Sequence, residues 1–158
     1  MKVLVGYYSQ TGTTKKMAEI ISDTLKKEDL DVTLSSIDKV KADDLLRFDG
    51  IIIGSPTYYG TVAYQIKKLF DESVAFHGEL DNKVGAAFSS SANVAGGNET
   101  TLLSILEAML IHGMVIQGDS KGDHYGPVAV DKVDNRAELN CVRFAKRFVK
   151  LLKKMHSA

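Results

Sequence analysis

Strand-like and helix-like stretches alternate along this sequence, which predicts an α/β fold with a parallel sheet covered by helices on both faces. Three observations carry that expectation. An apolar run, Val3 to Tyr8, is followed by a segment whose apolar residues (Met17, Ala18, Ile20, Ile21, Leu25) recur at helical spacing. Ile51-Ile52-Ile53 is a β-branched run without polar alternation, as expected of a central strand buried on both faces. Finally, the three most unusual polar turns follow strand-like runs, at the sheet edge where ligands bind in this class.

Each element follows in order. Val3 to Tyr8 is the first strand, and the segment from Lys15 to Leu25 is the first helix. Asp31 to Ile37 alternates and forms the second strand. Ala42 to Phe48 is expected as a short helix, with Asp43 and Asp44 near its positive end. Asp49-Gly50 leads into the third strand, Ile51 to Gly54, and a helix is expected from Thr61 or Val62 to Ser73. Lys83 to Phe88 is the fourth strand, Asn98 to His112 a helix, and Met114 to Ile116 the fifth strand. The last helix, from about Asn135 to Met155, places Leu139, Val142, Phe144, Ala145, Phe148, Val149 and Leu152 on its apolar side. Both prolines, Pro56 and Pro127, are expected in loops.

The 158 residues suit one domain over 1–158, large enough to bury about 70% of the unfolded surface. A 44% hydrophobic share with 25% charged residues is that of a soluble globular protein. Twenty basic and twenty acidic side chains balance, so no basic stripe points to nucleic acid, and Lys146, Arg147, Lys150, Lys153 and Lys154 read as the solvated face of a terminal helix. The first strand starts at Lys2 and no apolar run approaches spanning length, so neither signal peptide nor membrane is expected, and the cytoplasm is the default. Cys141 can form no internal disulfide and fits a small core residue. No metal site is expected.

The turns carry the chemistry. Ser9-Gln10-Thr11-Gly12-Thr13-Thr14 crowds four hydroxyls, an amide and a glycine between strand and helix, where the helix dipole favours an anion. It lacks the Gly-Lys-Ser/Thr order of a Walker loop and the three glycines of a dinucleotide fingerprint. A helix cap needs only one such residue, so four suit a terminal phosphate monoester. After the third strand, Gly54-Ser55-Pro56-Thr57-Tyr58-Tyr59-Gly60 offers two adjacent aromatics at a loop tip. Either tyrosine alone could lie over the sheet with its hydroxyl on backbone; the pair suits stacking on a planar ligand. After the fourth strand, Ser89-Ser90-Ser91-Ala92-Asn93-Val94-Ala95-Gly96-Gly97-Asn98-Glu99 offers small residues and polar groups to a heteroaromatic edge, or a loose loop ending in an Asn98 cap. A phosphate nest, an aromatic platform and a polar edge reader together match a planar ring joined through a polyol to one phosphate, which is FMN.

On these turns the chain resembles the flavodoxin-like proteins along essentially its whole length. Gly54 to Gly60, Gly96-Gly97-Asn98-Glu99, His112-Gly113-Met114-Val115-Ile116 and Tyr125-Gly126-Pro127 are most similar to the NAD(P)H:quinone oxidoreductases related to tryptophan-repressor-binding protein. The resemblance implies a three-layer sandwich with a five-stranded parallel sheet in order 2-1-3-4-5. It implies FMN held at its phosphate by Ser9, Gln10, Thr11, Gly12, Thr13 and Thr14, along its ring by Pro56, Thr57, Tyr58, Tyr59 and Gly60, and at its pyrimidine edge by Ser90, Ser91, Ala92, Asn93, Gly96 and Gly97. A lone histidine at a helix end is ordinarily a partner of the dipole. In the resembling reductases a histidine at this position reaches a neighbouring flavin site, which implies that His112, with Tyr125, faces substrate. The implied partners are NAD(P)H and a quinone-like acceptor in a possible homo-oligomer; a flavodoxin-type carrier serving a redox protein is the alternative. Carriers commonly show an acidic surface, whereas charge here is balanced. A phospho-receiver would need an acidic pair after the first strand and an Asp ending the third, where this chain has Tyr8-Ser9 and Gly54-Ser55.

Overall fold

The computed structural model describes residues 1–157. Strand β1 (Lys2–Tyr7) leads into helix α1 (Thr13–Lys26), followed by β2 (Asp31–Ser36) and β3 (Gly50–Tyr58). A hairpin partner, β4 (Thr61–Val62), precedes α2 (Tyr64–Glu72), β5 (Val84–Ser91) and α3 (Asn98–Ile111). Two short strands, β6 (Val115–Ile116) and β7 (Val128–Val130), precede α4 (Asn135–His156). The main sheet is parallel, in the order β2-β1-β3-β5-β6, with β7 pairing β5 and β4 pairing β3. Taken as five principal strands, this is the flavodoxin-like 2-1-3-4-5 arrangement.

Alternation along each strand makes three layers. Val3, Val5 and Ile52 point to one face, packed with Met17, Ile21, Leu25, Ala145 and Phe148 of α1 and α4. Leu4, Ile51 and Ile53 point to the other, against Ile66, Leu69, Leu102, Ile105 and Met109 of α2 and α3. Cys141 lies fully buried in the first of these cores, where desolvation pushes its thiol up to about 12. Asp134 caps α4, its carboxylate accepting from Ala137 N at 2.8 Å, a contact worth about 1 kcal/mol. Among the described residues, no helix is long and apolar enough to cross a membrane.

Several expectations change, most of them where the strands end. Ala42–Arg47 is a 3-10 turn rather than an α-helix, closed by the Asp44 carboxylate accepting from Lys41 N at 3.0 Å. Thr61 and Val62 are not the start of a helix. Tyr59 and Gly60 both take positive φ, 49° and 80°, and turn the chain into a two-residue hairpin. Pro56 lies in β3 opposite Ser90, not in a loop. β1 has already ended there, with Tyr7 opposite Gly54, so β3 has one neighbour and a missing N–H is tolerated. Ser89, Ser90 and Ser91 belong to β5, because β3 pairs with the first two and β7 with all three.

The fifth principal strand is split. β6 pairs only with Val84 and Gly85, and β7 returns only at Ser89 to Ser91. Between them, residues 117–127 leave the sheet and arch over its edge. Gly126 crosses the unpaired stretch of β5 at φ 140°, so close that an added Cβ would press into the carbonyl oxygen of Ala87.

Candidate functional site

The turns after β1, β3 and β5 meet at one end of the sheet. Tyr58 Oη donates to Gln10 Oε1 at 3.0 Å, joining the first turn to the second. The Tyr8 and Tyr58 rings meet edge to face with centroids 6.3 Å apart. Burial, and then the adjacent Tyr8, raise the Tyr58 hydroxyl above its ordinary value, so it acts as a neutral donor. The buried hydroxyls of Thr14 and Ser90 lie 2.8 Å apart, joining the first turn to β5.

Asn98 ties the remaining parts together. Its Oδ1 accepts from Ser89 Oγ at 3.1 Å and its Nδ2 donates to Ser91 Oγ at 2.8 Å. Asn98 is therefore not the cap of α3; that position is Gly97, at φ 103°. A Cβ on Gly97 would lie 2.8 Å from Gly60 Cα, so this glycine allows the hairpin tip to rest on the start of α3. Thr101 Oγ1 lies 2.9 Å from both Thr57 Oγ1 and Gly97 O, and Thr100 Oγ1 donates to Gly60 O.

The first turn separates two kinds of hydroxyl. Thr14 is engaged with Ser90, and Thr13 Oγ1 donates to Asp131 O at 2.9 Å. Ser9 Oγ accepts from Gly12 N at 3.1 Å and keeps its own hydrogen free, while Thr11 is exposed. No side chain among the described residues caps α1, so its first-turn N–H groups remain available. An anion here would meet backbone donors together with Ser9 and Thr11. Thr13 and Thr14 hold the frame. Thr14→Val is accordingly expected to act on stability: Ser90 is left with a buried hydroxyl lacking this partner, costing roughly 1–3 kcal/mol. Denaturant unfolding without ligand measures it, and an unchanged midpoint would contradict the assignment.

Further along the rim, Ala95 takes φ 54° and Val94 is exposed, while Tyr59 projects wholly into solvent. Beside them a cleft of ≈ 580 Å³ lies between Gly96, Gly97 and Asn98 on one wall and Tyr125, Gly126 and Val128 on the other. Ser91 and Asn93 are bonded to each other, Ser91 Oγ donating to Asn93 O at 2.8 Å. That bond shapes the loop after β5 and leaves the backbone of 94–97 along the cleft.

His112 is not brought to this rim. It ends α3 at the opposite edge of the sheet, where the next residue's carbonyl accepts from Asn82 N, and only 5% of it is exposed. Ser73 Oγ donates to Phe70 O at 2.7 Å and so accepts from His112 Nε2–H, also at 2.7 Å. Nδ1 is then the bare nitrogen, buried without a partner among the described residues, and the ring stacks on Phe76. The structure thus gives His112 a packing role within this chain. Burial, and next the neighbouring His77, hold its imidazole below the ordinary value. The folded state therefore resists a proton that the unfolded chain accepts. Its contribution is complete above the unfolded value of about 6.5 and is lost as pH falls from there through the folded value. Stability should drop between roughly pH 7.5 and 5.5 more in the wild type than in His112→Gln. Equal losses in pH-matched denaturation curves would refute this.

Sequence reading missed two parts of the site. The Thr57–Ser89–Asn98–Thr101 network was visible only as a density of Ser, Thr and Asn. The ion pairs behind Tyr125 had no local signal, since Asp119 and Arg143 are 24 residues apart.

A family model for the flavodoxin domain matches residues 4–110. The chain is 32% identical to a flavodoxin of Clostridium saccharobutylicum over 98% of its own length and 99% of that protein. It is 35% identical to an NAD(P)H dehydrogenase (quinone) of Rhizobium rhizogenes over 74% of its length and 70% of that protein. Among solved structures, the flavodoxin, WrbA-like protein from Agrobacterium tumefaciens superposes with a TM-score of 0.82 at 26% identity, covering 98% of both chains.

Proposed function

The chain belongs to the flavodoxin family, and from that premise we propose that it is an oxidoreductase passing electrons from NAD(P)H to a quinone or similar small acceptor. It is an FMN-binding flavoprotein, as its family is, and the rim fits that group. The uncapped start of α1 with Ser9 and Thr11 suits a phosphate dianion, and the close approach of Gly97 to Gly60 leaves backbone where a ring must come near. When bound, FMN supplies the redox chemistry, accepting hydride from a reduced nicotinamide and returning electrons to an acceptor.

The chain's own residues bind and orient. Gln10, Thr13 and Thr14 offer backbone N–H groups to the phosphate beside the Ser9 and Thr11 hydroxyls, and Gly12, whose N–H is held by Ser9 Oγ, turns the chain at φ 102°. Pro56, Thr57, Tyr58, Tyr59 and Gly60 line the ring. Ala92, Asn93, Gly96 and Gly97 face its pyrimidine edge, backed by Ser90 and Ser91 from within β5. Tyr125, across the cleft from Gly96 and Gly97, borders both the flavin edge and the substrate position, while within this chain His112 packs on Phe76 and Ser73 away from the cleft. The observation that carries the proposal is the open cleft between Gly96-Gly97 and Tyr125, whose ≈ 580 Å³ is of the size small-molecule sites occupy.

A second reading, a flavodoxin-type carrier serving a redox protein, draws on Tyr59 and Val94. Both are exposed at loop tips beside the cleft, an apolar rim that a protein surface could cover. Anaerobic addition of NADH or NADPH to the FMN-loaded protein, then of benzoquinone, separates the two. Rapid bleaching of the visible flavin band followed by rapid recovery is the expected result. Bleaching by dithionite alone would overturn the reductase reading in favour of the carrier.

A further inference from the structure

We infer that Asp119, Arg143, Asp123 and Arg136 are positioning residues of the ligand site, anchoring the excursion that carries Tyr125 to the cleft. This rests on the FMN site proposed above. The excursion runs from the end of β6 to the start of β7 with no ladder to β5, whose backbone it meets only near its re-entry, where Ser89 N donates to Pro127 O at 3.1 Å and Gly126 rests on Ala87. Ion pairs to α4 hold the rest. At the exit, the Asp119 carboxylate accepts from Arg143 Nε at 2.6 Å and Arg143 Nη2 at 2.7 Å, a two-point contact. Arg147 supports it, its Nε 3.6 Å from the same carboxylate and its Nη2 donating to Gly118 O at 2.7 Å. At the re-entry, Arg136 Nη1 donates to Asp123 at 2.8 Å, and Asp123 and Arg136 together grip both backbone groups of Val128, at 3.0 and 2.8 Å.

Internal bonds make the segment between these anchors one stiff turn. Asp119 N donates to His124 O at 3.0 Å, His124 Nδ1 lies 2.7 Å from Asp119 O, and Gly126 N donates to Asp123 O at 3.1 Å. Tyr125 therefore moves with its anchors rather than by itself. The Arg143 guanidinium holds the Asp119 carboxyl well below the usual carboxylate range, so the exit anchor stays charged throughout the neutral range.

The test is a double-mutant cycle read by FMN affinity, measured from the quenching of free flavin fluorescence. Arg143→Met should weaken FMN about tenfold and Arg143→Lys about threefold, while in a Tyr125→Ala background Arg143→Met should add less than about twofold, because its effect passes through Tyr125. Equal losses in both backgrounds, or none in either, would overturn the inference. Hydrogen exchange on the FMN-free protein gives the second readout. Amides of 119–127 should exchange faster in Arg143→Met while β5 stays protected; faster exchange throughout β5 would mark Arg143 as a general stability residue and overturn the inference too. If the wild type itself bound no FMN, the functional proposal would fall, and the exchange comparison would still decide the anchoring.

Discussion

Thr11→Asp is expected to lower FMN affinity by at least about 100-fold while leaving the ligand-free protein as stable as before, or slightly more so. The two effects have opposite signs for one reason. Thr11 is exposed in the turn before α1, whose first-turn N–H groups have no side-chain cap. A carboxylate there takes the place of an anion and interacts favourably with the helix dipole, by about 0.3–1 kcal/mol. The same carboxylate repels a phosphate dianion a few ångströms away; at an effective dielectric near 20, each unit-charge pair about 5 Å apart is worth roughly 3 kcal/mol. Fluorescence titration gives the affinity and thermal unfolding without FMN gives the stability. An affinity within a few-fold of wild type would remove the phosphate from this turn. A large fall in melting temperature would mean that Thr11, like Thr14, belongs to the frame.

Gly126→Ala is expected to produce the largest loss of stability among single-residue changes at the site, about 3 kcal/mol, or roughly 6–12 °C in melting temperature. Gly126 holds φ 140°, and its Cβ would meet the Ala87 carbonyl oxygen, a backbone atom of a central strand. No rotamer change relieves such a contact, so the excursion must lift away from β5. Tyr125 is its immediate neighbour and would leave the cleft wall with it. FMN affinity should fall together with stability, in contrast to Thr11→Asp, where only affinity falls. Denaturant unfolding of the FMN-free variant checks the first effect. A midpoint equal to wild type would show that the excursion does not rest on β5 as described.

Much of this was legible from local pattern. α1 and α4 are legible within a few residues because their apolar positions recur at helical spacing, and β1 and the first half of β3 because they are unbroken apolar runs. β4 and β7 were not, being two and three residues long, too short for any period. The hairpin at Tyr59-Gly60 was hidden because a tyrosine in the left-handed region contradicts its own propensity. Ser89 to Ser91 read as loop because three serines are poor strand formers, and pairing with β3 and β7 overrides that preference. His112 carried a role implied by resemblance, and the structure places it in packing at the far edge.

By itself the sequence determined the layered architecture, the anion-seeking turn after β1 and the gathering of three polar turns at one sheet edge. These depend on periodicity and on residue types within a few positions of each other. Only the tertiary structure decided which hydroxyls remain free for a ligand, where the fifth strand breaks, and what holds Tyr125 against the cleft. Thr14 finds Ser90 across 76 residues and Thr13 finds Asp131 across 118. A hydroxyl or a carboxylate has no period of its own; its partner is whichever group the folded backbone brings within about 3 Å.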